Sequence, residues 1–498
     1  MSDYQLYIDG QWTEAESGES FPTFNPATGE KIADVAKAGE ADTVKAIEAA
    51  RRAFDEGPWP RMSGKERADV VRRFGEAIFA KMADLAALEA RDGGGTVRKG
   101  MLADVGTCGA TFQKFAEYAE TLPDREDLPP AMGKPNYLMY EPIGVCAQIT
   151  PWNFPLVMAS WKIAPAIAAG NTIVLKPASV TPLTALELAK IADEIGLPPG
   201  VMNVVCGPGA SVGEVMASHP AVDKVAFTGS TEVGARIMQL AAPTVKKVTL
   251  ELGGKSAAVV TDDIDLDHAA KGVLFGTFFH NGQVCESGTR AVVNANVYDE
   301  FIDALVERAE KITLGDPQNP MTDQGPLVSA GQLETTERYV ALGLEEGARL
   351  VTGGKRPEGE EFANGFYYEP TIFADVDNSM RIAQEEIFGP VLSVIKAADD
   401  DEAVRIANDS IYGLAGAVWS NDVERAKGIA ERMRTGTVWI NDHHLLTPDH
   451  PFGGYKQSGV GYEMGEYGYR EYQMKKRIHV DDDTNAASHI TFSMLHSS

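Results

Sequence analysis

From Asn171 to Ser230 the chain reads NTIVLKPASV TPLTALELAK IADEIGLPPG VMNVVCGPGA SVGEVMASHP AVDKVAFTGS. Its first run, Asn171-Thr-Ile-Val-Leu175, is short and β-branched and reads as a buried strand. Thr181-Pro182 then predicts a helix start, with Thr at the cap and Pro in the first turn. Apolar spacing through Leu186-Glu-Leu-Ala-Lys190 carries that helix to a stop near Gly196. A second strand is predicted over residues 201–205 and a third over 222–227. The third ends in Thr228-Gly229-Ser230, where another helix starts. Residues 245–250 and 256–260 are two further strand candidates. Strands alternating with helices argue for a parallel α/β sheet, which binds ligands at the carboxyl ends of its strands. The turns after Leu175, Val205 and Phe227 are therefore the expected nucleotide positions.

A second α/β stretch begins after Gly253, with helices expected over about 266–279 and 298–312 and strands near 367–373 and 391–395. A chain of 498 residues is too long for one ordinary core, so two or three domains are expected. With 44% hydrophobic and 23% charged residues it is neither disordered nor collagen-like. No repeat of fixed period and no long linker is visible. Met1-Ser2-Asp3-Tyr4-Gln5 lacks the basic-then-apolar pattern of a secretory signal. The longest apolar candidate, residues 163–175, is interrupted by Pro165, Gly170 and Asn171 and falls short of the ~18 residues of a membrane helix. A soluble, cytoplasmic protein is expected.

Four cysteines (Cys108, Cys146, Cys206 and Cys285) do not make a disulfide scaffold in a chain this long. No CxxC pair or Cys/His cluster suggests a metal, so none is expected. The net charge of −27 argues against nucleic acid and anionic membranes as partners. Solubility and adaptation to high salt are two readings of that excess.

Four local signals could carry chemistry. Gly282-Gln-Val-Cys285 follows an apolar helix, and a Cys in such a turn suits either a thiolate nucleophile or an inert buried thiol. In Leu250-Glu-Leu-Gly-Gly-Lys255, Glu251 sits between apolar residues. Burial there would raise its pKa and make it a general base; a solvated strand end is the alternative. In Pro151-Trp-Asn-Phe-Pro155, Asn153 is held between aromatics and prolines, ready to donate to an oxyanion or simply to make a turn bond. Phe227-Thr-Gly-Ser-Thr-Glu-Val-Gly234 joins a strand end to a helix N-terminus and suits an anion, although it is not GxGxxG.

Together these segments resemble the aldehyde dehydrogenase superfamily from about Tyr7 to Val480. The resemblance also rests on Lys176-Pro-Ala178, Glu385-Glu-Ile-Phe-Gly-Pro390 and Pro451-Phe-Gly-Gly-Tyr-Lys-Gln-Ser-Gly459, all in the family's order and at about its spacing. It implies an α/β fold in three parts. A Rossmann-type dinucleotide domain would span residues 1–119 and 143–253, and an α/β catalytic domain 254–453. A small β oligomerisation extension and C-terminal tail would be 120–142 and 469–498, giving a homodimer or homotetramer.

The resemblance also implies the chemistry. Cys285 matches the nucleophile, Asn153 and the Cys285 backbone N–H the oxyanion donors, and Glu251 the base that activates water for deacylation. Lys176 matches the contact to the adenosine ribose, and Gly209 and Gly213 line up with the adenine cleft. Ser230 matches the pyrophosphate contact, while Trp152 lies on the dinucleotide side of its loop. Glu386 matches the carboxylate on the nicotinamide ribose, with Phe388 beside the ring. Lys162 and Glu463 match a proton path.

Many strict NAD+ enzymes of the family carry Glu three residues after this Lys. Here the position is Ser179, which removes the electrostatic objection to a 2′-phosphate, so use of both NAD and NADP is expected. The substrate mouth is expected from Phe154, Met158, Trp161, Phe279, Val284, Glu286, His444 and Leu446, mostly apolar and suited to an aliphatic or aromatic aldehyde. Glu286 either steers a cationic amino-aldehyde or turns away into a structural bond, and His443 and His444 read as loop fillers. The apolar end, Ile490-Thr-Phe-Ser-Met-Leu495, is expected to fray, or to fold back or reach a neighbouring subunit near the substrate entrance. A CoA-acylating enzyme is disfavoured by Glu251, and a non-catalytic scaffold by Cys285, Glu251, Asn153 and Glu386 together.

Overall fold

In the computed structural model, which describes residues 2–485 and 489–495, the opening stretch is the heart of an eight-stranded sheet. Its central five strands, in spatial order, are Met202–Val204, Thr172–Lys176, Val145–Ile149, Lys224–Thr228 and Lys247–Glu251. All four pairings between them are parallel. Numbered along the chain, that order is 3-2-1-4-5, the arrangement of a Rossmann-type sheet. The order reverses between Val145–Ile149 and Lys224–Thr228, so a crevice opens beyond their carboxyl ends. Short antiparallel strands close both edges: Leu6–Ile8 and Gln11–Thr13 on one side, Gly459–Val460 on the other.

The central strands read as continuous apolar runs because helices cover both faces. Every residue of Thr172–Lys176 and Lys224–Thr228 is buried. So is every residue of the helix Pro155–Ala168, which starts with Pro at its first position and is apolar apart from Ser160 and Lys162.

The second sheet has seven strands, six of them parallel, in the order Arg349–Thr352, Thr371–Ala374, Val391–Ala397, Arg290–Asn294, Ala257–Val260, Ala415–Trp419 and Thr437–Ile440. Separate apolar clusters lie on its two faces. A third, antiparallel sheet joins Gln473–His479 to Lys134–Pro142 and Arg125–Ala131.

Several boundaries depart from the expected ones. The helix expected at Thr181-Pro182 begins at Leu183, because the Thr181 hydroxyl is drawn to the Trp152 carbonyl, 3.2 Å away. Val245 takes φ +52° and ends a helical turn, so the strand expected from 245 begins at Lys247. The strand expected over 367–373 is instead Thr371–Ala374. Past the third sheet, Asp481 pairs with Lys134 at 2.6 Å, and in the described part of the tail His489 stands 3.3 Å from Asp481 and stacks on Phe492. Residues 486–488 and 496–498 lie outside the described residues.

Candidate active site

The crevice is made by loops at the ends of strands from both large sheets. Val145–Ile149 leads into Pro151-Trp-Asn-Phe-Pro155, which turns directly into the buried helix. Asn153 is 5% exposed and spends one amide N–H on the Gln283 carbonyl at 2.8 Å, leaving the other for a ligand. Across the crevice, the helix Leu266–Phe278 ends in a tight turn. His280, Asn281 and Gly282 take φ of +49°, +58° and +69° in succession. Two side chains hold this left-handed run. Asn281 donates to the carbonyls of Gly325 and Pro326, both at 2.8 Å, and Gln283 accepts from the Val328 N–H at 3.0 Å. The turn delivers Cys285, the one cysteine of four that is not fully buried.

The two glycines of the 250–255 motif let three segments meet. A Cβ on Gly253 would lie 2.4 Å from Glu386 Oε2, and one on Gly254 would lie 2.3 Å from the Cys285 carbonyl oxygen. The Ser458 hydroxyl locks the same corner, donating to the Gly253 carbonyl at 2.7 Å and accepting from the Gly413 N–H at 2.9 Å. Segments far apart in sequence thus converge on one point.

A cavity of about 90 Å³ holds Cys285, Glu251 and Asn153 in one wall system with Phe154, Met158, Trp161, Phe279, Glu286, His444 and Leu446. Ala103, Thr107, Val157, Thr228 and Phe452 also line it. Nothing in the sequence singled out Ala103 or Thr107. Phe452 sits inside the Pro451–Gly459 motif and could have been named. Val284, expected at the mouth, is buried and forms no part of the wall. Ala103 and Phe279 are shared with a wider outer groove, which gives the cavity an approach from outside.

The electrostatics around the thiol are unusual. Burial pushes the Cys285 pKa well above the ordinary range, and Glu286, Glu386 and Glu251 add to the rise. Burial likewise lifts Glu251 well above the usual carboxylate value, with Glu463 adding to it and Lys162 opposing. Glu251 Oε2 is buried and makes no hydrogen bond to the protein. Glu286 behaves oppositely. Burial pushes it up, but the hydrogen bond and charge of His444, with smaller contributions from the Cys285 thiol and its own backbone, bring it below the usual range. Its carboxylate is not turned away as one reading had it: Oε2 lies 3.1 Å from Cys285 Sγ, and Oε1 lies 3.3 Å from His444 Nδ1. The two histidines read as loop fillers differ in place. His444 lines the cavity, and buried His443 places Nε2 3.1 Å from the Glu286 carbonyl.

Behind Glu251 lies a buried polar chain. Lys162 Nζ reaches Thr228 Oγ1 at 2.7 Å and Glu463 Oε1 at 2.6 Å, and Thr228 is the register partner of Glu251 on the neighbouring strand. Lys162 is 0% and Glu463 3% exposed at the side chain.

On the opposite side of the crevice, Lys176 closes its strand, its pKa lowered by burial, and Ser179 follows with its hydroxyl on the Gly207 carbonyl at 3.2 Å. Gly209 and Gly213 bound a short helical turn; Gly209 is open to solvent, and a Cβ on Gly213 would sit 3.7 Å from the Lys176 side chain. Ser230 caps the 11-residue helix Thr231–Ala241, its hydroxyl accepting from the Val233 N–H at 3.3 Å. Trp152 meets Phe388 edge-on at 5.2 Å. Glu386 accepts from the Gly254 N–H at 2.9 Å, and burial raises its pKa to about 7. Among the described residues no group of three or more His, Cys, Asp or Glu is arranged to hold a metal ion. Nor is any described helix long and apolar enough to cross a membrane.

The model of the aldehyde dehydrogenase family matches residues 12–478. The chain belongs to that family. It is an aldehyde dehydrogenase, an oxidoreductase acting on the aldehyde group. Betaine aldehyde dehydrogenase of Bacillus subtilis is 48% identical over 474 residues, covering 95% of this chain and 96% of that protein. Human retinal dehydrogenase 2 is 43% identical over 478 residues, covering 96% and 91%. The crystal structure of a Staphylococcus aureus betaine aldehyde dehydrogenase in complex with NAD+ superposes with a TM-score of 0.95 at 40% identity, covering 98% of this chain and 97% of that one. This aldehyde dehydrogenase therefore shares its whole architecture with an enzyme of known ligand.

Proposed function

We propose that this aldehyde dehydrogenase oxidises short aldehydes to carboxylic acids with NAD+ or NADP+, through a thioester on Cys285. The observation that carries it is the single cavity joining Cys285, Asn153 and Glu251. The Cys285 sulfur attacks the aldehyde carbon, and the C=O electrons move to oxygen. The free N–H of Asn153 and the Cys285 backbone N–H receive that oxyanion, preorganised because Gln283 already holds the Asn153 amide. Bound NAD(P)+ supplies the acceptor for the hydride that the thiohemiacetal loses. Glu251, which lines the cavity and whose Oε2 makes no hydrogen bond to the protein, takes a proton from water as it attacks the thioester. Thr228, Lys162 and Glu463 then form the route by which that proton leaves.

The crevice fits a dinucleotide on its own geometry. It lies at the switch point of a 3-2-1-4-5 sheet, and a capped helix presents its N-terminus there for a pyrophosphate. Lys176 and Ser179 would face the adenosine ribose, Gly209 and Gly213 the adenine, and Glu386, Phe388 and Trp152 the nicotinamide half. Ser179 carries no charge to repel a 2′-phosphate, which supports use of NADP+ beside NAD+. The cavity of about 90 Å³ favours a short substrate over a polyene aldehyde. Its aromatic walls and the Glu286 carboxylate also suit a cationic ammonium aldehyde, the substrate class named for two of the relatives. The exposed outer strand Arg125–Ala131 supports assembly as a homodimer or homotetramer in which sheets are shared between subunits.

The test is reduced-cofactor absorbance with NAD+ and NADP+ against short aliphatic, aromatic and ammonium aldehydes, beside Cys285→Ala. Turnover should fall by about 10⁴-fold or more in the variant, as for loss of other covalent nucleophiles. Turnover surviving the substitution would overturn the thioester route, and none with NADP+ would remove the dual-cofactor reading.

A further inference from the structure

The thiol that must act as a nucleophile is half-buried in the cavity, and desolvation there, with Glu286, Glu386 and Glu251, disfavours its ionised form. Simple loss of its proton would add a negative charge to a pocket already rich in carboxylates. Transfer of the proton to a neighbour adds none.

The hydrogen-bond geometry identifies the neighbour. Cys285 Sγ–H points its proton at Glu286 Oε2, 3.1 Å away. Glu286 Oε1 is 3.3 Å from His444 Nδ1, and His444 Nε2 is 3.1 Å from the Gly276 carbonyl oxygen. A carbonyl only accepts, so Nε2 carries a hydrogen. Nδ1 then faces a carboxylate oxygen, and two bare acceptors would repel, so one proton lies between them. The row from Cys285 through Glu286 and His444 to the Gly276 carbonyl thus holds a proton at each of its three links. His443 closes it from behind by its contact to the Glu286 backbone carbonyl.

We propose that Glu286, oriented by His444, takes the Cys285 proton and so generates the nucleophile of this enzyme. The S–H bond breaks, an O–H bond forms at Oε2, and the sulfur electron pair attacks the aldehyde carbon. The three side chains keep the same total charge up to the attack, with the shared proton moving onto His444 as Oε2 is filled; after it, the negative charge sits on the substrate oxygen. On deacylation the C–S bond breaks, its electron pair returns to sulfur, and Glu286 gives the proton back. Glu251 remains the base for water. The proposal rests on Cys285 being the nucleophile, and it assigns Glu286 a role that the sequence readings (steering a cation or making a structural bond) did not.

The test is the rate of iodoacetamide alkylation of the full-length protein near neutral pH, with the site of labelling mapped. It needs neither cofactor nor aldehyde. The other three cysteines are buried, so Cys285 is the one labelled first. Glu286→Gln keeps the side-chain volume and should slow alkylation at least tenfold, with the melting temperature checked to exclude misfolding. His444→Gln keeps a hydrogen-bonding group but loses the shared proton, and should fall between that variant and the parent. Removing a negative charge beside the sulfur would by itself speed alkylation, so an unchanged or faster rate in Glu286→Gln overturns the proposal. A raised KM for ammonium aldehydes with unchanged alkylation would likewise replace the base with a steering charge. Slowing in Glu251→Gln instead would move the role to Glu251. Turnover by Cys285→Ala would sink the nucleophile itself, an outcome distinct from all of these.

Discussion

On the dinucleotide side of the crevice, Ser179, Gly209, Gly213 and Ser230 offer small or uncharged groups, backbone amides and a capped helix end. On the other side, Cys285 stands among Glu251, Glu286 and Glu386, and the chain that delivers it passes through three consecutive left-handed residues. The first wall is made of ordinary strand, turn and helix geometry, which costs little and spreads its grip over many weak contacts. The second concentrates buried charge and backbone strain, each unfavourable by itself and held only by surrounding bonds. Substitutions should therefore act very unequally on the two walls.

The largest effect expected after removal of the nucleophile is at Glu251. Glu251→Gln should lower steady-state turnover by about 10²–10⁴-fold, the usual weight of a general base. Stopped-flow absorbance should still show a rapid first burst of reduced cofactor, because the proposed acylation step does not use this group. The pH dependence has a definite sign. Burial raises the Glu251 pKa, so the base form appears as pH rises, and deacylation should climb toward alkaline pH in the parent but not in the variant. A variant that lost the burst would move Glu251 into the acylation step.

Asn153 belongs to the dinucleotide side by its strand and to the thiol side by its amide. Asn153→Ala should lower kcat/KM by about 10²–10³-fold, the cost of one oxyanion donor, with cofactor affinity measured by fluorescence titration unchanged. If cofactor affinity fell as well, the two walls would be coupled through this loop.

What the sequence revealed divides along the same line. The strands around Thr172–Lys176 and Lys224–Thr228 were legible because burial on both faces demands continuous apolar runs. The burial of Glu251 between apolar neighbours was legible too, whereas the close approaches that Gly253 and Gly254 make were not read from the sequence. The left-handed conformation of His280 and Asn281 was not legible: neither is glycine, and the bonds that hold Asn281 come from Gly325 and Pro326, 44 and 45 residues away. The direction of Glu286 was hidden for the same reason, since it is set by His444, 158 residues on. The helix start moved one residue, from Pro182 to Leu183, with the Thr181 hydroxyl on the Trp152 carbonyl instead of capping.

The smallest effect is expected on the dinucleotide wall. The Ser230 hydroxyl accepts from the Val233 N–H and so satisfies one of the unpaired donors at the start of Thr231–Ala241. Ser230→Ala should cost about 1 kcal/mol of stability, readable as a shift in denaturant midpoint. On the proposed reading a bound pyrophosphate would meet the same helix end, where its oxygens could replace the lost cap. The destabilisation should therefore shrink when NAD+ is present, and NAD+ affinity should change by less than tenfold. That outcome would place the grip on the cofactor in the backbone amides and the helix end. A loss of affinity well beyond tenfold would mean that the hydroxyl itself holds the phosphate. The dinucleotide wall would then share the thiol wall's dependence on single side chains.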